Sequence, residues 1–139
     1  LSAINVPQVC EPYYRRKAIS HLEKGRVVIF AGGTGNPYCT TDSCAALRAL
    51  EVNADAILMA KNGVDGVYDA DPRTHKDAKK LTRLTLNEMI ERQLAVMDLG
   101  AAAMLTGKKK TIRVFSMDDP EAFRKVLSGE DVGTTVVDE

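Results

Sequence analysis

The sequence has no long apolar run and no excess of charge of either sign. No stretch approaches the roughly 20 apolar residues that a membrane-spanning helix needs, so we expect no membrane role. The 19 lysine and arginine residues equal the 19 aspartate and glutamate residues in number, whereas nucleic-acid-binding proteins usually carry a basic excess. The absence of that excess argues against a DNA or RNA partner.

Cysteine and histidine are also scarce. Cys10, Cys39 and Cys44 form no C-x-x-C pair and are odd in number, which favours free thiols in a reducing compartment. His21 and His75 have no partner at metal-ligand spacing, so the sequence predicts no metal site. The N-terminus shows no signal-peptide pattern, and the expected location is the cytoplasm.

Alternating strand and helix patterns over residues 1–139 predict a single α/β domain. Apolar runs that are rich in β-branched residues predict buried strands at 26–31, 55–60, 111–117 and 133–137. Amphipathic and capped segments predict helices at 11–24, 41–52, 86–94, 99–109 and 120–129. The strand–loop–helix–strand order over 26–60 predicts a parallel βαβ unit, and the whole pattern predicts a three-layer αβα sandwich with a mainly parallel sheet.

Local sequence signals add detail to this prediction. The first helix is expected to bury one face that carries Tyr14, Ala18, Ile19 and Leu22, and to stop at Gly25. Thr85 and Glu88 have the spacing of a capping box. Residues 61–84 are rich in Gly, Asp and Lys and should be mostly loop, with a small hairpin around GVYDADP (66–72).

A glycine-rich loop, GGTGNPYCTTD (32–42), follows the first predicted strand. Free N–H groups at a helix N-terminus favour an anion such as phosphate, and glycines let a ligand approach the backbone. The loop matches neither the Walker A pattern nor G-x-G-x-x-G. An ordinary turn, in which Thr40 or Thr41 caps the helix and Asn36 occupies a turn position, is the alternative. Four hydrogen-bonding side chains are more than such a turn needs: Thr34, Asn36, Thr40 and Thr41.

Two more polar segments follow predicted strands or begin helices, and ligands of parallel sheets gather at the carboxyl ends of strands. In MAKNGVDGVYDADPR (59–73), Tyr68 could stack on a base while Asn62 and Asp71 bond ring edges or ribose hydroxyls. The alternative is a DG-type hairpin with Tyr68 in a local core. In VMDLGAAA (96–103), Asp98 stands where an N-cap belongs, and capping is its default role.

Together, AGGTGNPYCTTD, AKNGVDGVYDADP and VMDLGAA resemble the bacterial uridylate (UMP) kinases of the amino-acid kinase superfamily. The weaker IRVFSMDDP and GTTV follow in the expected order, so the resemblance covers essentially the whole chain. It implies an amino-acid kinase or carbamate kinase-like fold. It also implies transfer of the γ-phosphoryl group of ATP to UMP, giving UDP for pyrimidine biosynthesis.

The resemblance also implies roles for individual residues. Asp98 is expected near the transferring phosphoryl group, with Asp42 supporting the same centre. ATP is expected at Asn62, Tyr68 and Asp71, with Mg²⁺ bound mainly through phosphates and no dedicated metal ligands. The expected UMP contacts are Thr34, Gly35, Asn36, Pro37, Tyr38, Cys39, Thr40 and Thr41. Cys39 stands where the family often has an aromatic residue, so packing there should be looser.

The family begins with a strand and a lysine-bearing glycine loop, and these are not found in this sequence, which starts at Leu1. We therefore expect the chain to be the C-terminal part of a kinase domain that is inactive alone and has uncovered sheet edges. The resemblance further implies a homohexamer. Two alternatives remain: a non-catalytic nucleotide-binding or assembly fragment, and a superfamily member acting on a small carboxylate or carbamate.

Overall fold

The computed structural model describes every residue from Leu1 to Glu139. It contains five helices: α1 (Arg15–Glu23), α2 (Thr41–Glu51), α3 (Leu86–Glu91), α4 (Leu99–Leu105) and α5 (Pro120–Leu127). Its six strands are β1 (Ala56–Lys61), β2 (Val67–Tyr68), β3 (Lys80–Leu81), β4 (Arg83–Thr85), β5 (Thr111–Ser116) and β6 (Thr134–Val137).

Four strands form the central sheet in the order β1-β5-β6-β4. β1 and β5 are parallel, with a register that runs from Ala56 opposite Thr111 to Lys61 opposite Ser116. β6 is parallel to β4 and antiparallel to β5. The predicted mainly parallel sheet is confirmed.

Helices cover both faces of this sheet. Successive side chains of a strand point to opposite faces, so each strand can contribute to the core on either side. Ile57 and Met59 of β1 belong to the main core, which also contains residues of α2, α3 and α4. Phe115 of β5 points the other way and packs against Ala122 and Val126 of α5. The predicted three-layer αβα arrangement is therefore confirmed.

The predicted helices all form, with shifted ends. The capping box of Thr85 and Glu88 is present at the start of α3. That helix ends at Glu91 rather than at residue 94, because Gln93 has a φ of 51°, which a right-handed helix does not accommodate. Pro120 occupies the first turn of α5, as predicted.

The predicted strand at 26–31 is wrong. Val27 is 93% exposed and Ile29 is 76% exposed, and only Ala31 makes a bridge, with Ser2. A β-branched run becomes a strand only when another strand pairs with it, and here the backbone of residues 1–3 is all that lies alongside. The predicted βαβ unit over 26–60 is absent for the same reason, since β1 pairs with β5 instead.

The predicted buried face of the first helix is also mostly wrong. α1 begins at Arg15, after the extended residue Tyr14, and only Ala18 is buried. Tyr14 is 55% exposed, because no other helix or strand packs extensively against this helix. The apolar face of α1 is therefore only partly covered in this chain.

The segment 61–84 is mostly loop, as predicted, but its hairpin is wider than a DG turn. β2 pairs with β3 across residues 69–79, so the strands that meet are separated by an eleven-residue loop rather than by a two-residue turn. The short strand β4 at the sheet edge was not predicted. Its pairing with β6 depends on a partner some 50 residues away.

Candidate active site

The first turns of α2 and α4 lie at the edge of the sheet where β1 and β5 end. Four residues connect α2 to β1, and five connect α4 to β5. Because α2 packs back along β1, its N-terminus lies near the carboxyl end of that strand, and α4 packs against α2. The glycine-rich loop enters α2 at this edge, and Asp98 precedes α4 there.

Asp98 joins the two helix starts. Its carboxylate accepts a hydrogen bond from the backbone N–H of Ala101 at 2.8 Å, which caps α4. The Thr40 hydroxyl donates to the same carboxylate and accepts from the backbone N–H of Ser43 at 3.1 Å, which caps α2. The capping roles that sequence considered for Thr40 and Asp98 are thus confirmed, and the two caps are bonded to each other.

Ser43 is a member of this cluster that sequence reasoning missed. Its hydroxyl lies 3.4 and 3.5 Å from the two carboxylate oxygens of Asp98. The available signal was its position three residues after Thr40, where a side chain points to the same helix end as the cap. Asp42 is half-buried in the first turn of α2, but no hydrogen bond joins it to Asp98.

The environment of Asp98 favours the ionised carboxylate. Donation by the Thr40 hydroxyl, followed by the backbone N–H of Ala101, lowers the pKa of Asp98 below its usual value. The positive ends of the α2 and α4 dipoles act in the same direction. A fixed negative charge at this edge can orient a cationic side chain or a hydrated cation, but it is a poor proton acceptor near neutral pH.

The glycine-rich loop presents most of its polar groups to solvent. Gly32, Gly33 and Gly35 have φ values of 76°, 60° and 76°, a left-handed conformation that glycine adopts without strain. Thr34 accepts a hydrogen bond from the backbone N–H of Asn36 at 3.2 Å. The side chains that make no hydrogen bond within the chain and are exposed include those of Asn36, Tyr38, Cys39 and Thr41.

Tyr68 and Asp71 line a cavity of about 510 Å³. The Tyr68 hydroxyl donates to Asp65 at 2.7 Å, so the ring is held at the cavity rather than in a core. Asp71 accepts from the backbone N–H of Arg73 at 2.9 Å and thereby shapes the loop. The opposite wall comes from the residues after α3, at positions 92–95.

Asn62 is exposed directly after β1 and is not among the residues that line this cavity. Next to it, the backbone N–H of Gly63 donates to Asp118 at 3.1 Å. Asp118 follows β5, so it lies beside the end of β1 because the two strands are parallel. Sequence reasoning gave Asp118 no role, although its place after a predicted strand was visible.

The predicted site residues therefore form two groups. Thr40 and Asp98 are in contact, while Tyr68 and Asp71 share a cavity to which no residue of the glycine-rich loop contributes. No three His, Cys, Asp or Glu side chains stand together in a way that could hold a metal ion. None of the five helices has the length and apolar character required to cross a membrane.

Comparisons with known proteins place this geometry in a family. The amino acid kinase family matches residues 3–116. Uridylate kinases of Rubrobacter xylanophilus and Oenococcus oeni are 58% and 52% identical over 97% and 98% of the chain. The chain spans about half the length of these curated relatives, 53% and 56% respectively.

Solved structures agree with the sequence comparison. A UMP kinase from Bacillus anthracis superposes with a TM-score of 0.95 at 41% identity, over 99% of this chain and 57% of that one. A UMP kinase from Ureaplasma parvum gives a TM-score of 0.91 at 40% identity, over 99% of this chain and 58% of that one. The chain is thus similar in sequence and in fold to uridylate kinases, and it belongs to the amino acid kinase family.

Proposed function

We propose that the protein carrying this chain is a UMP kinase, which transfers the γ-phosphoryl group of ATP to UMP and releases ADP and UDP. The observation that carries the proposal is the ionised Asp98, bonded to Thr40 where the glycine-rich loop enters α2. The similarity of the chain to uridylate kinases supports the choice of phosphoryl transfer to UMP as the reaction at this carboxylate. The 139-residue chain by itself is expected to form negligible UDP.

The proposed chemistry demands positioning more than proton transfer. A phosphate oxygen of UMP attacks the γ-phosphorus of ATP, the bond to the bridging oxygen breaks, and ADP leaves in line with the attack. The phosphate of UMP is already ionised near neutral pH, so no strong base is required. Asp98, held by Thr40 and Ala101, orients the centre, and Asp42 in the first turn of α2 supports it electrostatically.

The glycine-rich loop supplies the proposed UMP site. Thr34, Asn36 and Thr41 contact the nucleotide, and the backbone from Gly35 through Pro37, Tyr38 and Cys39 to Thr40 shapes the pocket. Uracil carries a carbonyl where cytosine carries an amino group. A buried donor left unpaired by CMP costs about 1–3 kcal/mol, or roughly 5- to 150-fold in selectivity. Threonine hydroxyls can reverse donor and acceptor, which moderates this preference.

The cavity at Tyr68 is the proposed ATP site. Its volume of about 510 Å³ lies within the range of small-molecule pockets. Tyr68 stacks on adenine, and Asn62 and Asp71 bond the ribose and base. Mg²⁺ bound to ATP neutralises phosphate charge, and a cation held mainly by phosphates and water suits a site without a group of three acidic side chains.

Substrate-specific kinetics of the complete gene product test the assignment. Asn36→Ala and Thr41→Ala are expected to raise the KM for UMP far more than the KM for ATP, while Tyr68→Ala should do the reverse. Thr82→Ala, which removes an exposed hydroxyl that makes no hydrogen bond in the chain, is the control and should change neither constant. An equal effect of each variant on both substrates would reject the two sites.

The role of Asp98 has its own test. Asp98→Asn keeps an oxygen for the cap but removes the charge, so turnover should fall while the KM values for both nucleotides change little. Wild-type turnover in this variant would contradict the role. Phosphorylation of a small carboxylate or carbamate instead of UMP, or tight nucleotide binding without transfer, would replace the proposed function by one of its two alternatives.

We also propose, from the resemblance to bacterial uridylate kinases, that the complete protein works as a homohexamer in the cytoplasm. Light scattering of the purified complete protein tests the assembly, and a dimeric or monomeric mass would contradict it.

A further inference from the structure

A partly buried charged cluster lies behind the glycine-rich loop. Arg48 of α2 is only 7% exposed. Its Nη1 donates to the Glu51 carboxylate at 2.6 Å, and its guanidinium carbon lies 3.7 Å from the centre of the Tyr13 ring. The Tyr13 hydroxyl donates to the same carboxylate of Glu51. A buried arginine requires such partners, because an unpaired buried charge is strongly destabilising.

The second arm of Arg48 reaches the loop itself. Nη2 donates to the carbonyl oxygen of Gly33 at 3.2 Å, one residue before Thr34. At the other end of the loop, Thr40 caps α2. One helix therefore holds both ends of the segment 34–39, through a cap at its start and through a side chain two turns later.

Between these two anchors the loop has little support of its own. Residues 35–39 are exposed, and within the segment the Thr34 hydroxyl accepts a hydrogen bond from the Asn36 N–H. A loop whose ends are fixed loses less conformational freedom when a ligand binds. The position of Gly33 also determines where the neighbouring Thr34 hydroxyl points, and hence what the loop offers to a ligand.

We propose that Arg48 is a positioning residue for the nucleotide acceptor, holding Gly33 so that Thr34 and Asn36 are presented in binding geometry. The inference rests on the proposed UMP site, but Arg48 itself contacts no substrate. Only arginine can do this here, because its planar fork bonds Glu51 and Gly33 with separate nitrogens while its face stacks on Tyr13. A lysine ammonium at the same position cannot serve all three partners.

The test compares Arg48→Lys with Arg113→Lys in the complete gene product. Arg113 is the matched control, because its Nη2 also donates to a backbone carbonyl, that of Glu130 at 2.7 Å, and its Nε, like that of Arg48, is buried without a partner. Arg113 lies on β5, away from the loop. We expect Arg48→Lys to raise the KM for UMP roughly tenfold, as for one lost charge-assisted hydrogen bond, with the KM for ATP within about twofold of wild type.

A milder variant guards against loss of folding. Tyr13→Phe keeps the stacked ring and removes the hydroxyl that orients Glu51, so the KM for UMP should rise in the same direction by a smaller factor. Equal rises in both KM values, or an effect matched by Arg113→Lys, would show that Arg48 merely stabilises the fold and would overturn the proposal.

Hydrogen exchange separates this proposal from the proposed function. In Arg48→Lys, the hydrogen-bonded backbone amides of Gly35 and Asn36 should exchange faster than in wild type, while the amides of the other loop, 69–79, should not change. If the wild-type protein phosphorylates no UMP, the kinase assignment fails and this local loosening still decides whether Arg48 holds the loop. Unchanged exchange at the amides of Gly35 and Asn36 would overturn the proposal.

Discussion

At the scale of single residues, the hydrogen bonds that Asp98 accepts distinguish it from the other acidic residues of the chain. Asp98 is one of 19 acidic residues, yet it combines a backbone N–H donor with a hydroxyl donor from another helix. Donors of this kind favour the ionised form of a carboxyl group. The negative charge at the proposed phosphoryl-transfer centre is therefore built into the two helix starts and does not depend on a bound ligand.

This coupling predicts a pH-dependent contribution to stability. Because the pKa of Asp98 is lower in the folded chain than the usual value of about 3.9, the unfolded chain binds more protons between the two pKa values. The contribution is thus present above about pH 4 and is lost as the pH falls through the folded pKa. In urea unfolding, the difference in unfolding free energy between wild type and Asp98→Asn should shrink as the pH decreases from 6 to 3.

Thr40→Ala is the companion variant, since the Thr40 hydroxyl is the main cause of the lowered pKa of Asp98. Removing it should also flatten the acid dependence. A difference between wild type and Asp98→Asn that stays constant over this pH range would contradict the coupling.

Sequence reasoning located residues whose partners are close along the chain. Thr85 with Glu88 and Asp98 before α4 were both predicted as caps and are both caps, because capping depends on neighbours within three residues. The bond between Thr40 and Asp98 and that between Arg48 and Gly33 join residues 58 and 15 positions apart. No local pattern encodes such pairs, and the importance of Arg48 and Ser43 was therefore missed.

At the scale of elements, a close backbone approach fixes the start of β6. Gly133 has a φ of 73°, and a Cβ placed there would lie 2.0 Å from the carbonyl oxygen of Val114 on β5. Such a distance is far below van der Waals contact, so the strands would have to separate. The antiparallel pairing of β5 and β6 joins the parallel pair β1–β5 to the edge pair β6–β4, and a glycine makes this junction possible.

Gly133→Ala should therefore lower the free energy of unfolding by more than the cost of placing alanine in a left-handed backbone conformation. Gly107 is the matched control, since its φ is 72° and nothing lies within 4 Å of its added Cβ. Gly107→Ala should lower the free energy of unfolding by about 1–2 kcal/mol, the cost of a left-handed non-glycine residue. Gly133→Ala should lose roughly 1–3 kcal/mol more from overpacking. Equal losses of unfolding free energy in the two variants, measured by denaturant unfolding, would show that β6 can move away from β5 without a loss of stability.

Elements with a strong local signal were predicted, and those defined by a distant partner were not. Helices α2 to α5 carry caps and apolar faces of their own, so sequence located each of them within a few residues. Segment 26–31 has the composition of a strand, but no strand lies beside it. The sequence of β4 has no strong strand pattern, yet β4 forms because it pairs with β6. Strand formation depends on the hydrogen-bonding partner as much as on the residues.

At the scale of the whole molecule, segment 26–31 stands out because it is apolar but is neither buried nor paired with a strand. Val27 and Ile29 project apolar side chains into solvent, and the backbone N–H groups of residues 27–30 make no backbone hydrogen bond. Exposed edges of this kind pair readily with other chains. The chain spans about half the length of its curated relatives, whose sequences extend beyond the matched region.

The isolated 139-residue chain should consequently self-associate through this segment. We expect its apparent mass in sedimentation experiments to rise with concentration, and Val27→Lys combined with Ile29→Lys to suppress the rise, because edge lysines must be desolvated when strands pair. Leu127→Lys is the control, since Leu127 is another exposed apolar residue but lies at the end of α5. If Leu127→Lys suppressed association equally, general hydrophobicity rather than an unpaired strand edge would be responsible. If the unmodified chain stayed monomeric at all concentrations, the prediction that segment 26–31 pairs between chains would be wrong.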